Sequence, residues 1–280
     1  IVKDFKRNWT WEDIIYRASD YQSHIKEYSN KKTEKQYVPI FVDRSGETIA
    51  AILGCLFSKR VFVPLDPQQP IDRTKKIVEV LNSNFIIEPS YKIKSYKNRI
   101  QIETETPSND LIYILFTSGS TGSPKGVMVD YGNIENTMIW SNEILNWDEN
   151  SVIGCVVNLF FDIAMFDIFS ALYYNIPIGI ISQPSDYFNS INEIKKFEIT
   201  SIFSAPIFFS QLIQIGFVEE LNQSVLNQII SGGDFFPPAH ILSWLEAMQS
   251  IKIFNVWGPT ETSIVNTMYL LEKKDITKLK

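Results

Sequence analysis

Short apolar runs recur along this chain and are separated by stretches in which apolar residues follow a helical period. Strands alternating with helices form mainly parallel sheets covered by helices, so the pattern predicts an α/β fold. In such sheets ligands bind beyond the carboxyl ends of the strands, and the loops that follow strands are therefore the candidate sites. The predicted strands lie at 38–42, 61–65, 84–87, 111–116, 152–157, 177–181, 200–203, 227–231 and 252–256.

Two of the intervening helices are predicted near the amino terminus. Thr10 followed by Asp13 makes a capping box, in which each side chain bonds the other residue's backbone amide at the start of a helix. The apolar residues of both helices recur at helical spacing and are expected to face the core. They are Trp11, Ile14, Ile15, Ala18 and Ile25 in the first helix, and Ile49, Ile52, Leu53, Leu56 and Phe57 in the second.

Composition excludes several classes of partner. With 280 residues and 45% hydrophobic content, the chain can form one or two domains with a sizeable core. Twenty-six basic and 32 acidic side chains leave a net charge of −6 without a basic run, so nucleic acid is not an expected partner. The longest apolar stretches, such as 49–57, are shorter than the roughly 20 residues that a membrane-spanning helix needs. We recognise no signal peptide, expect no membrane partner and predict a cytoplasmic location.

Cysteine and histidine give no sign of a metal site or a disulfide framework. Cys55 and Cys155 lie in apolar surroundings and are predicted to be buried thiols in a reducing compartment. His24 and His240 have no cysteine or second histidine at metal-ligand spacing and are interpreted as ordinary helix residues. No serine lies in a G-x-S-x-G pattern, so a hydrolase triad lacks support as well.

A hydroxyl-rich stretch, FTSGSTGSPKGV at 116–127, begins at the end of the apolar strand LIYILF. Its Ser, Thr and Gly residues favour turns, and their amides and hydroxyls can surround an anion to which Lys125 adds a positive charge. A flexible linker is the alternative, although linkers rarely follow a buried strand directly and end in Pro-Lys-Gly. The loop of nucleoside triphosphatases requires G-x-x-x-x-G-K-[ST], which this stretch does not fit. We interpret it as a phosphate-binding loop of another kind.

The run YILFTSGSTGSPKGV closely resembles the phosphate-loop motif of adenylate-forming enzymes, and its TSGSTG form is most similar to that of amino-acid adenylation domains of nonribosomal peptide synthetases. Further stretches agree in the same order, namely RSGETIAAILGCLFSKRVFVPLDPQQP, FDIAMFDIF, SGGD and NVWGPTET. The resemblance covers about residues 10–268. It implies that residues 1–280 are the large amino-terminal lobe of such a domain, incomplete at both ends and without the small carboxy-terminal lobe.

The resemblance implies a reaction, its cofactor and its partners. An amino-acid carboxylate attacks the α-phosphorus of ATP, pyrophosphate leaves, and the aminoacyl group then passes from the adenylate to the phosphopantetheine thiol of a carrier protein, in the synthesis of an antibiotic or another secondary metabolite. Positioning and charge neutralisation supply most of the rate in such a step, with Mg²⁺ on the triphosphate. Residues 1–280 alone lack the small lobe and are expected to bind nucleotide weakly and to adenylate poorly.

The same resemblance assigns the nucleotide-binding residues. Glu261 matches the acidic residue that holds Mg²⁺, and together with Thr117 and Lys125 it is predicted to act directly on the reacting phosphates. Trp257 stands where the family usually has a tyrosine that stacks on adenine, and an indole can stack in its place. The loop over the β- and γ-phosphates is matched by Thr117, Ser118, Gly119, Ser120, Thr121, Gly122 and Lys125, the phosphate-side hydroxyl by Thr260, and the remaining nucleotide-binding positions by Gly232, Gly233, Asp234, Asn255 and Gly258.

Substrate choice is assigned to a second set of residues. Asp162 matches the aspartate that pairs with the substrate's α-ammonium, although an aspartate there can also cap a helix. The other matched pocket positions are uncharged, and such a pocket cannot compensate for burying a charged side chain, so we expect a neutral aliphatic amino acid. Valine, isoleucine and leucine are favoured, and alanine stays open. These positions are Ile163, Phe166, Phe203, Ile230, Gly232, Val256, Ile264 and Val265, each of which is equally credible as core.

Two other classes of function remain open. One is a carboxylic-acid or acyl-CoA ligase that does not require an amine. The other is a binding module that keeps the fold without the chemistry. The phosphate loop together with Asp162 favours the amino-acid adenylating enzyme, in which the loop and Glu261 are expected to hold one magnesium-bound triphosphate.

Overall fold

The computed structural model describes residues 1–28, 37–88, 92–95, 110–118 and 124–277. Contacts between Cα atoms divide the chain into two compact units. The six-stranded unit comprises residues 9–135 and 158–161, and the eight-stranded unit comprises residues 1–8, 136–157 and 162 onward. Within the described ranges, none of the helices combines the length and the apolar character that crossing a bilayer requires.

Strands and helices alternate through most of the chain. The elements in chain order are β1 (Val2–Lys3), β2 (Asn8–Trp9), α1 (Trp11–Tyr28), β3 (Tyr37–Phe41), α2 (Gly46–Phe57), β4 (Val61–Leu65), α3 (Ile71–Val80), β5 (Phe85–Glu88), β6 (Lys92–Ser95), β7 (Leu111–Ser118), β8 (Pro124–Asp130), α4 (Tyr131–Leu145), β9 (Ile153–Cys155), α5 (Asp162–Tyr174), β10 (Ile178–Ile180), α6 (Tyr187–Phe197), β11 (Ser201–Ser204), α7 (Pro206–Gln214), α8 (Val218–Leu221), β12 (Gln228–Gly232), α9 (Pro238–Ala247), β13 (Lys252–Trp257), a 3₁₀ turn (Thr260–Thr262), β14 (Thr267–Leu271) and α10 (Lys273–Thr277).

The six-stranded sheet has the order β6-β5-β3-β4-β7-β8. Its inner pairs β5-β3, β3-β4 and β4-β7 are parallel, whereas β6 and β8 pair antiparallel with their neighbours at the two edges. Because α2 packs against both α1 and β4, it is buried on nearly every side and carries small residues such as Gly54, whose Cα lies against Tyr21. This packing keeps the inner parallel strands away from solvent.

The start of α1 forms as the capping box predicts. The Thr10 backbone N–H donates to Asp13 Oδ2 at 2.9 Å, and the Asp13 N–H donates to Thr10 Oγ1 at 3.0 Å. Ile14 and Ala18 are buried in the core, but Ile15 is 50% exposed and Phe57, at the end of α2, is 42% exposed, so their predicted places on the buried faces are wrong. Successive helical residues point about 100° apart, and Ile15 falls outside the stripe that Ile14 and Ala18 define.

The eight-stranded sheet has the order β14-β13-β12-β11-β9-β10-β1-β2. Strands β13, β12, β11, β9, β10 and β1 run parallel, and β14 pairs antiparallel with β13. One face of this sheet forms an apolar core with α6, α7 and α9, in which Ile202, Ile229 and Ile253 from neighbouring strands meet Trp244. This core fixes the carboxyl ends of β11, β12 and β13 relative to one another.

The predicted α/β fold is confirmed, since each predicted strand is present with its ends shifted by at most a few residues. Strands β1, β2, β6, β8 and β14 were missed, and the last three pair antiparallel with their neighbours at sheet edges. Most residues of β8 and β14 are partly or fully exposed, as is usual at a sheet edge, while Val129 of β8 is buried. Cys55 and Cys155 are buried free thiols, as predicted, and burial raises the pKa of the Cys55 thiol.

Candidate functional site

The phosphate-loop motif lies at the end of an antiparallel hairpin in the six-stranded unit. Strand β7 runs to Ser118 and β8 begins at Pro124, and Thr117 pairs directly with Lys125 across the two strands. The remaining predicted loop residues, Gly119, Ser120, Thr121 and Gly122, lie outside the described residues. Thr117 and Lys125 therefore stand together at the base of the motif, on the last pairs of the hairpin.

The side chain of Lys125 carries a positive charge at this hairpin. Its side chain is exposed, and no hydrogen bond or ion pair joins it to any residue in the described part of the chain. The next residue must be small, because a Cβ on Gly126 would lie 2.9 Å from Ile114 Cγ2. An ammonium held on a strand and left without a carboxylate partner is suited to an anionic ligand.

Arg73 is a residue at this hairpin that the sequence reasoning missed. It lies on α3, and its Nη2 donates to the backbone carbonyl of Phe116 at 3.3 Å, one residue before Thr117. The guanidinium keeps further N–H donors, and no carboxylate pairs with it among the described residues. The available signal was an arginine shortly after Pro70 at a helix start, and that pattern does not reveal a contact made 43 residues away.

The other predicted residues lie in the eight-stranded unit, beyond the carboxyl ends of its parallel strands. Strand β12 ends at Gly232 and β13 at Trp257, and they are followed by the Gly233-Asp234 turn and by the 3₁₀ turn that carries Thr260 and Glu261. Asp162 begins α5 after β9. Binding residues are expected at this edge of a parallel sheet.

The predicted adenine-side and substrate-side residues alternate along β13. Asn255 and Trp257 are exposed, with the Trp257 indole 63% accessible, whereas Val256 between them is buried. Successive side chains of a strand point to opposite faces, so Val256 lies on the face opposite Asn255 and Trp257. An exposed indole at a strand end provides a flat apolar surface on which a base can stack.

Two glycines bring chain segments close together at this edge, and a third permits a left-handed turn. A Cβ on Gly232 would lie 2.6 Å from Val256 Cγ2, and a Cβ on Gly258 would lie 2.4 Å from the carbonyl oxygen of Ile264. Gly233 has a φ of +88°, a conformation that other residues rarely adopt. Packing and backbone conformation thus require glycine at these motif positions, in addition to any ligand that they approach.

The predicted substrate-pocket residues form a buried apolar group. The rings of Phe166 and Phe203 meet edge to face with centroids 5.4 Å apart, and Phe203 is the register partner of Ile230 in the neighbouring strand. Ile163, at the start of α5, is only half-buried. The side chains that are at most 5% exposed are Phe166, Phe203, Ile230, Val256, Ile264 and Val265.

The Asp162 carboxylate is held by two hydrogen bonds. Its Oδ1 accepts from the backbone N–H of Ile163 at 2.8 Å, and its Oδ2 accepts from the hydroxyl of Thr260 at 2.6 Å. Asp162 is the first residue of α5, and an anion is favoured at that position by the helix dipole. The structure thus joins the residue predicted for the ammonium to a residue predicted for the phosphates.

Glu261 is suited to a hard cation. Its carboxylate is exposed on the 3₁₀ turn and pairs with no other described residue. In the described ranges there is no group of three His, Cys, Asp or Glu side chains placed to hold a metal. Mg²⁺ bound with a nucleotide takes one or two carboxylates and completes its shell with phosphate oxygens and water, so a single free carboxylate fits this role.

The chain is similar to several known proteins. A family model described as AMP-binding enzyme matches residues 1–279. Bacitracin synthase 1 of Bacillus licheniformis is 30% identical over 247 residues, which are 87% of this chain and 5% of that protein. This chain spans between 4% and 8% of the length of the curated relatives that it matches.

Solved structures establish the likeness of fold. The N-terminal subdomain of Klebsiella oxytoca NpsA, in complex with 3-hydroxybenzoyl-AMSN, matches with a TM-score of 0.82 and 20% identity, covering 98% of this chain and 72% of that one. Holo-AB3403, a four-domain nonribosomal peptide synthetase bound to AMP and glycine, matches with a TM-score of 0.80 and 18% identity, covering 96% of this chain and 21% of that one.

Proposed function

Because the chain belongs to the AMP-binding enzyme family, we propose that it activates the carboxylate of an amino acid with ATP, as part of a nonribosomal peptide synthetase. The similarity to bacitracin synthase 1 supports this assignment of class. The observation that carries the amino-acid part is Asp162, a half-buried carboxylate held by two hydrogen bonds at the carboxyl edge of the parallel sheet. A fixed anion in that place favours a substrate with an ammonium group.

The chain's own residues contribute mainly positioning and charge. Lys125 and Thr117 bind phosphate oxygens of ATP, as do residues 118–122, and the Trp257 indole stacks on the base. Asn255 and the turn Gly232-Gly233-Asp234 border the base, and Gly233, where a Cβ would meet no atom within 4 Å, allows a close backbone approach. Glu261 holds Mg²⁺, which when bound neutralises charge on the phosphates.

A neutral aliphatic amino acid is the proposed substrate, with valine, isoleucine or leucine favoured. Phe166, Ile230 and Val256 offer no polar atom that would compensate for burying a charged or strongly polar side chain. The activated acyl group then passes to the phosphopantetheine thiol of a carrier protein. We place this activity in the cytoplasm, which is supported by two buried free cysteines.

A carboxylic-acid ligase without an amine requirement is the second candidate. It is favoured by the fold likeness to NpsA, which was solved with a hydroxybenzoyl compound. The two candidates differ in the substrate group, next to the carboxylate, that would face Asp162. An ammonium donates to Asp162 as a charged group, a contact worth about 1.5–3 kcal/mol, whereas a hydroxyl donates only as a neutral group and an aryl carbon does not donate.

Amino-acid-dependent exchange of pyrophosphate into ATP tests the proposal. The full-length protein is assayed with the proteinogenic amino acids, and we expect the highest rates with branched aliphatic ones. Valine is then compared with 2-hydroxy-3-methylbutanoate, which replaces only the amine, and we expect valine to be favoured by about ten- to a hundredfold. Equal rates for the two compounds, or exchange with aryl acids alone, would favour the second candidate.

A further inference from the structure

We infer that Thr260 is a positioning residue for Asp162, through which the segment carrying Glu261 holds the ammonium-binding carboxylate in place. The inference rests on the proposed function, in which Asp162 binds the substrate's ammonium. Its basis is the hydrogen bond of 2.6 Å from Thr260 Oγ1 to Asp162 Oδ2, between residues 98 positions apart. The resemblance had given Thr260 a phosphate-side role instead.

The Thr260 hydroxyl has a single proton, which decides between a bond to Asp162 and a bond to a phosphate. An ionised carboxylate only accepts hydrogen bonds, so the Thr260 hydroxyl must be the donor in its bond to Asp162. A hydroxyl has a single proton, and while Thr260 donates it to Asp162 it cannot donate to a phosphate oxygen. The bond to Asp162 therefore assigns that proton to substrate recognition.

Asp162 keeps capacity for a ligand after both bonds are made. Two carboxylate oxygens provide about four acceptor sites, of which the Ile163 amide and the Thr260 hydroxyl occupy two. The two bonds restrict rotation of the carboxylate. The remaining acceptor sites therefore keep a fixed direction. An ammonium with its donors can then bind without first ordering Asp162, which lowers the entropic cost of binding.

The Thr260 side of the bond is itself well fixed. The Thr137 hydroxyl donates to the Ser263 carbonyl at 3.1 Å in the interior, and Ser263 and Ile264 both adopt positive φ angles of 69° and 76°. The Ile264 carbonyl also packs closely on Gly258. A segment anchored on both sides of the 3₁₀ turn can hold the Asp162 carboxylate in place, whereas a loose segment would move together with it.

Steady-state pyrophosphate exchange with Thr260→Val and Thr260→Ser tests the inference. Valine preserves the branched shape and removes the hydroxyl, and serine retains the hydroxyl. We expect Thr260→Val to raise KM for valine about tenfold, to leave KM for ATP within about twofold, and to change exchange with 2-hydroxy-3-methylbutanoate little. Thr260→Ser should restore most of the affinity for valine. A rise in KM for ATP alone would overturn the inference and return the hydroxyl to the phosphates.

Thr262→Val is the matched control. Thr262 lies on the same 3₁₀ turn, and its hydroxyl contacts two acceptors, the Pro259 carbonyl and Asn266 Oδ1, rather than Asp162. We expect this variant to leave KM for valine near the wild-type value. If Thr260→Val and Thr262→Val raise KM for valine equally, the cause is a loosened turn and not the lost bond to Asp162. That result too would overturn the inference.

A double-mutant cycle separates this inference from the proposed function. Unfolding by urea is measured for Thr260→Val, Asp162→Ala and the double variant, none of which requires an active enzyme. We expect the double variant to lose clearly less stability than the two single losses combined, because the bond can be removed only once. If the two losses of unfolding free energy are additive, the bond is refuted. If the wild-type protein shows no amino-acid-dependent exchange, the proposed function is refuted, but the cycle can still be interpreted.

Discussion

Gly232 on β12 lies so close to Val256 on β13 that a Cβ at position 232 would stand 2.6 Å from Val256 Cγ2 and 2.8 Å from the Val256 carbonyl oxygen. The two residues are register partners in parallel strands at the edge where the candidate site lies. The glycine is therefore needed for the strands to pair, whatever ligand binds beside them.

Gly232→Ala should destabilise the protein by about 1–3 kcal/mol, because the added methyl overpacks against backbone as well as side chain. The free energy of unfolding in urea measures the loss. Gly132→Ala is the control, since its Cβ would meet only Asp130 Oδ1 at an ordinary 3.6 Å on α4. Equal stability of the two variants would show that β12 and β13 can separate at little cost.

Glu261→Gln should remove most of the benefit that Mg²⁺ brings to ATP binding. An amide is a poorer ligand than a carboxylate for a hard cation, so the Mg²⁺-dependent gain in ATP affinity should fall by about tenfold. Isothermal calorimetry with ATP, in the presence and absence of Mg²⁺, measures that gain. Glu246→Gln, an exposed glutamate on α9, should retain it. If both variants keep the gain, the metal assignment fails.

Lys125→Ala should lower kcat/KM for pyrophosphate exchange by about a hundredfold, the size expected when one charged donor to reacting phosphates is lost. Its thermal midpoint should stay close to that of the wild type, because the side chain is exposed and has no partner among the described residues. Lys76→Ala, on the exposed surface of α3, should change neither quantity. A large drop in thermal midpoint for Lys125→Ala would point to a structural role instead.

Phe166→Ala should cost about 3–5 kcal/mol of stability, since it opens a cavity between two other rings. Phe166 is fully buried and packs on Phe203 and on Trp147 at centroid distances of 5.4 and 5.8 Å. Urea unfolding measures the cost, and Phe188→Ala on α6, whose ring is exposed, should cost far less. A Phe166→Ala protein as stable as the wild type would show that the ring does not contribute to the core.

Cys55 should make stability fall at high pH. Burial raises the pKa of its thiol, so the native protein keeps the proton at a pH where the unfolded chain, with a thiol pKa of about 8.5, has lost it. Ionisation above that pH therefore favours unfolding, and the contribution is fully present below it. Between pH 7 and 10 the stability of the wild type relative to Cys55→Ala should drop by about 2 kcal/mol. A pH-independent difference would contradict this.

The sequence determined the class of fold and the positions of the buried strands. Each parallel strand shows itself as a short apolar run, because both faces of such a strand are covered and no polar alternation is needed. The edge strands β6, β8 and β14 were not predicted, although β14 contains the apolar run MYLL.

Only the tertiary structure decided which distant residues meet. Sequence placed Thr260 with the phosphates, yet its hydroxyl donates to Asp162, 98 residues earlier in the chain. Likewise Arg73 reaches the carbonyl of Phe116, and Gly232 must be small because Val256 lies beside it in a strand formed later in the chain. Local periodicity reports how a segment faces its immediate surroundings, whereas contacts of this kind depend on strand register and on the order of strands in the sheet.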